Sequence, residues 1–107
     1  MPSQSMDAVL EIANSCVELK IKMLPHIDIE NDTVDFEAIL KNGFFESGHT
    51  GAVLWAKSIW NRKTVPDLDP MPHSWSMDTE VTSAVIGALC IAWNLDFKIS
   101  NSLKPYQ

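Results

Sequence analysis

Apolar residues recur at steps of three and four over residues 6–24, where Val9, Ile12, Ala13, Cys16, Leu19 and Met23 fall on one stripe of a helix. Ser5 is the expected N-cap, Asp7 and Glu11 lie early and Lys20 and Lys22 lie late, as the helix dipole favours, and Pro25 stops the pattern. A second period competes over the same stretch. Residues 18–23 alternate polar and apolar, and residues 26–30 continue the alternation with Ile27 and Ile29 on one side, as a short strand would.

A second helix is expected over residues 34–42, capped by Asp32 or Thr33, with Phe36, Ile39 and Leu40 facing inward and Gly43 as its stop. A third starts after Ser47 or Gly48 and runs through Asn61. It presents Ala52, Trp55, Ala56, Ile59 and Trp60 inward and keeps Lys57, Ser58 and Asn61 wet. Pro66, Pro70 and Pro72 then forbid regular structure across residues 62–76, a long connection whose Val65, Leu68, Met71 and Trp75 should hold it against the body.

The fourth helix opens at Ser76 or Asp78 with acidic residues in its first turn. Val81, Ala84, Val85, Ala88, Leu89, Ala92 and Leu95 make one face and Ile86, Cys90, Trp93 and Phe97 a second, so a central position is expected. The ridge of Ala84, Ala88 and Ala92 invites close approach of the third helix at Ala52 and Ala56. The pattern therefore predicts an all-α domain of about four helices with a long proline-containing loop between helices 3 and 4. The alternative is an α+β domain in which residues 20–29 and the alternating residues 95–99 pair as a small two-stranded sheet.

Length narrows the architecture further. The 107 residues suit one folding unit, with residues 1–5 and 100–107 expected to fray, and a hydrophobic fraction of 46% is enough for a packed core. A formal charge of −6 repels phosphate backbones and anionic lipid, so nucleic acid and membrane are not expected partners. The longest uncharged apolar stretch, residues 81–95, is too short to span a bilayer, and the opening lacks the basic start and apolar core of a secretory signal. A cytoplasmic location is the expectation. Cys16 and Cys90 lie inside apolar helical patterns and are read as reduced core thiols.

Chemistry is sparse. The chain has no phosphate-binding glycine loop, dinucleotide fingerprint, His-Glu-x-x-His or Gly-x-Ser-x-Gly. His26 follows Pro25 in a turn and His49 starts a helix, where exposed or capping roles are expected. Asp67, Asp69, His73 and Asp78 mix oxygen and imidazole donors, but their spacing matches no regular metal motif and the intervening prolines limit convergence, so no metal or other cofactor is assigned. Asp28, Glu30, Asp32, Asp35 and Glu37 fall within ten residues containing no Lys or Arg. As a calcium loop from Asp28 they fail, because Thr33 stands where Gly is needed and Ile39 where a bidentate Glu is needed.

What remains is a dense acidic patch and a Trp75 held in a proline-stiffened loop beside His73, the kind of group that anchors interfaces. The expected function is a small acidic non-enzymatic interaction domain of the inhibitor, immunity-protein or antitoxin type, docking a basic protein through the patch and through Asp67, Asp69, His73 and Trp75. Two alternatives stand beside it: a small hydrolase or metal-dependent enzyme using His73 or His49 with nearby carboxylates, and a self-associating module, a homodimer, built on the fourth helix.

Overall fold

A computed structural model describes residues 3–42, 45, 47–62, 70 and 74–94. Among these residues the chain is mostly helical, with five helices and one two-stranded antiparallel sheet: α1 (Gln4–Ala13), α2 (Val17–Met23), β1 (Ile27–Asp28), β2 (Thr33–Val34), α3 (Phe36–Asn42), α4 (Ser47–Asn61) and α5 (Thr79–Ala92).

The first predicted helix is two helices. It breaks at Ser15, where the Ile12 carbonyl, which a continued helix would offer to the Cys16 N–H, instead accepts from the Ser15 N–H at 3.1 Å and Ser15 Oγ at 2.7 Å, while Asn14 Nδ2 donates to the Leu10 carbonyl at 2.9 Å. Cys16 is then extended, with φ −153°, and α2 starts afresh. The cap of α1 is Ser3 rather than Ser5, its hydroxyl accepting from the Met6 N–H at 3.0 Å, so Gln4 and Ser5 are helical and not part of a frayed tail.

Residues 18–23 resolve as helix despite their alternation. Pro25 sits inside a 3-10 turn, Leu24–His26, that turns the chain into β1. Ile27 pairs with Val34 and Asp28 with Thr33, so the two-stranded sheet is a local hairpin. The expected pairing partner, residues 95–99, lies outside the described residues. Because Thr33 and Val34 are in the strand, α3 starts later than expected and is capped by Asp35, whose carboxylate accepts from the Ala38 N–H at 3.0 Å, and not by Asp32 or Thr33.

The limits of α4 and the start of α5 fall where the pattern places them. Asp78 caps α5 by accepting from the Val81 N–H at 2.9 Å, and α5 ends at Ala92, followed by Asn94 in the left-handed region that Asn tolerates. α1, α4 and α5 pack against one another in a three-way core centred on Val9, Ile12, Val53, Ala56, Val85 and Ala88. α4 and α5 are neighbours as expected, but α5 rests most broadly on α1.

That arrangement corrects the central position expected of α5. Met6, Ala8, Val9, Ile12 and Ala13 of α1 are wholly buried, whereas α5 leaves Ile86 and Trp93 exposed on its outer side. Among the described residues no further layer lies there to cover its second apolar face.

α2 leans on α1, and α3 closes the core from below with Phe36 and Ile39. The start of α4 is pressed onto the segment that leads into α5: a Cβ on Gly48 would collide with the Ser76 carbonyl, so only glycine permits the approach. Beside it, the Trp55 indole N–H donates to Ser74 Oγ at 2.7 Å, and that hydroxyl donates to the buried Pro70 carbonyl at 2.9 Å.

Candidate functional site

The acidic patch is carried by the hairpin and the first turn of α3. Asp28, Glu30, Asp32, Asp35 and Glu37 are all exposed. Three of them hold local structure. Asp28 accepts from the Asn31 N–H at 3.1 Å and from Asn31 Nδ2 at 2.6 Å, and these bonds, the side-chain one foremost, hold its carboxyl below the usual carboxylate range.

Asp32 adopts φ 56°, a left-handed conformation that suits a short polar side chain, and it accepts from Ser3 Oγ at 2.9 Å, tying the hairpin to the start of α1. Asp35 caps α3. Glu30 and Glu37 make no such bond among the described residues and project their charge outward. Between the carboxylates, at the turn, Ile29 is 46% exposed.

Trp75 is 87% exposed on the turn before α5, so it does not plug the core. Asp67, Asp69 and His73 lie outside the described residues, and Asp78 is occupied as the α5 cap. His26 is partly buried in the 3-10 turn, where its carbonyl accepts from the Asp35 N–H at 3.0 Å.

His49 departs most from expectation. It neither caps a helix nor stands in solvent: its side chain is 13% exposed, held between two residues of the first helical pair. Nε2 lies 3.7 Å from Cys16 Sγ and Nδ1 lies 3.2 Å from Glu18 Oε2. The second contact is close but poorly aligned, so Nδ1 has the charge of Glu18 nearby without a well-directed hydrogen bond.

The other oxygen of Glu18 accepts from Lys22 Nζ at 2.7 Å, and this bond is the main reason its carboxyl lies below the usual range. Lys22 in turn stands 5.0 Å from the centre of the Phe45 ring, a cation–π contact. Cys16, expected in the core, sits at its edge, partly exposed as a free thiol. The break after α1 puts it there, since a continuous helix would have carried it inward with Ile12 and Ala13.

A groove of about 430 Å³ also opens between α1, α4 and α5, lined by Gln4 at the start of α1, Trp55 within α4, Arg62 beyond its end, Leu89 of α5 and Trp93 just after it. Among the described residues, no group of three or more His, Cys, Asp or Glu gathers in a form that could hold a metal ion, and no helix is long and apolar enough to cross a membrane. No family model, curated protein or solved structure matches this chain.

Proposed function

We propose that the chain is a non-enzymatic interaction domain of the inhibitor, immunity-protein or antitoxin type, acting in the cytoplasm by docking a basic partner protein on its acidic hairpin. One observation carries the reading: Ile29, 46% exposed, stands at the turn of a hairpin whose surrounding carboxylates are all exposed. An apolar residue inside a ring of like charge offers both parts of a docking surface, a contact that excludes water and a field that steers a cationic partner. The Asp28–Asn31 and Asp32–Ser3 bonds hold the turn in one shape, so little order is lost on binding. Trp75, exposed on a second turn, is a further anchor for the same partner.

The test is affinity capture from native lysate at low and high salt, followed by kinetics with the protein retained. Glu30→Lys with Glu37→Lys removes outward charge without touching a structural bond and should slow association at an unchanged melting temperature. Trp75→Ala should shift stability by no more than about 0.5 kcal/mol and weaken binding by ~2 kcal/mol or more. Capture indifferent to both salt and the double reversal would sink the reading.

A hydrolase built on His49 with a nearby carboxylate is the second reading, favoured by the Glu18 contact. It requires catalytic turnover of a simple ester such as p-nitrophenyl acetate that disappears in His49→Gln.

A further inference from the structure

We propose that Cys16 is a reactive thiol that exchanges with small disulfides, with His49 as its proton acceptor and Glu18 as the residue that positions His49. The two neighbours of the imidazole lie against different ring nitrogens, the thiol 3.7 Å from Nε2 and the carboxylate 3.2 Å from Nδ1. A chelate would put both on one point; this order instead makes a relay. The charge of Glu18 beside Nδ1, even without a well-directed hydrogen bond, favours the tautomer with its proton there, which leaves Nε2 as the acceptor facing sulfur.

Glu18 is suited to that task because Lys22 holds its other oxygen at 2.7 Å and the Phe45 ring stands under Lys22, so the carboxylate is fixed from behind. The imidazole is largely buried, while Cys16 is partly exposed at the edge of the core beside Val17, which is 72% exposed.

Exchange with a disulfide needs a thiol, a proton acceptor and access, and no charge-stabilising donors for a carbonyl oxygen. The Cys16 S–H bond breaks and its proton passes to His49 Nε2. The sulfur attacks one sulfur of the incoming disulfide, a new S–S bond forms as the old one breaks, and the departing thiolate takes the proton back from His49. The products are one mixed disulfide on Cys16 and one small thiol, with no net oxidation. The site goes beyond the docking function above and does not depend on it.

Glutathione disulfide is the probe, and Cys90, also partly exposed, is the internal reference. Under native conditions, mass spectrometry of the unaltered protein should find the mixed disulfide on Cys16 at least about tenfold faster than on Cys90, with the difference lost in urea. In a Cys90→Ala background, His49→Gln should slow modification of Cys16 by a similar factor, and Glu18→Gln should slow it less. Equal native rates at the two thiols overturn the proposal without reference to any variant. So does a folded His49→Gln protein, checked by circular dichroism, whose Cys16 reacts as fast as the parent's.

Discussion

Asp28 shows how far a single carboxylate is committed to its own backbone. Two bonds from Asn31 stabilise its charged form in the folded chain, so its titration is displaced downward from the ordinary value of 3.8. The sign follows directly: the contribution is fully present above 3.8 and is lost as the pH falls through the lower folded value. Carboxyl chemical shifts in an NMR titration should therefore give Asp28 a midpoint below 3.8, and Asn31→Ala should move it back up. A midpoint at or above 3.8 in the parent would show that the turn is not held this way. The Glu30 backbone also bonds to Asp28, but the Glu30 carboxylate itself makes no comparable bond among the described residues, which is why it is the better side chain to reverse when docking is tested.

Among the helices, the caps decide what could be foreseen. Asp78, followed by Glu80 and an apolar run, is a local signal, and α5 starts where it says. α4 is equally legible, since its stripe is regular and its limits are set by neighbouring residues. The long first helix was misread for a reason that is also local but weaker. Its apolar stripe continues through Cys16 without a fault in period, while the break is made where Ser15 takes the Ile12 carbonyl, which does not show in a hydrophobic pattern.

The hairpin was half visible, in the alternation of Ile27 and Ile29, but its partner strand is only two residues long, too short for a period to show. One helix contact is of the expected kind: Ala88 is wholly buried where α5 meets the core, whereas a Cβ on the neighbouring Gly87 would meet Glu11 of α1 only at ordinary contact distance. Ala88→Leu should overpack this contact and cost ~1–3 kcal/mol. Chemical denaturation reads it, and an unchanged midpoint would mean the ridge is slack.

The molecule as a whole brings together what the chain keeps apart. Cys16 and His49 are 33 positions distant, and each alone reads as an ordinary residue of its type; only the folding of α4 against the first helical pair gives either a partner. The groove is assembled from three helices in the same way. The acidic patch is legible because its five charges fall within ten residues, and charge, unlike contact, needs no fold to be counted.

The press of Gly48 onto Ser76, with Trp55 held to Ser74 beside it, carries a consequence for covalent continuity. α4 ends at Asn61, yet the chain is back at the beginning of α4 before α5 sets out, and the far end of that return is held there by Ser74 and Ser76. Pro70, the one described residue part-way along that return, is fully buried and accepts from Ser74 Oγ, so a fragment beginning before it keeps that contact. Polypeptides 1–65 and 66–107, produced together, should reassemble as a noncovalent pair that copurifies. Its melting temperature should climb with concentration where that of the intact chain stays constant, because the peptide link's effective concentration has been exchanged for a real one.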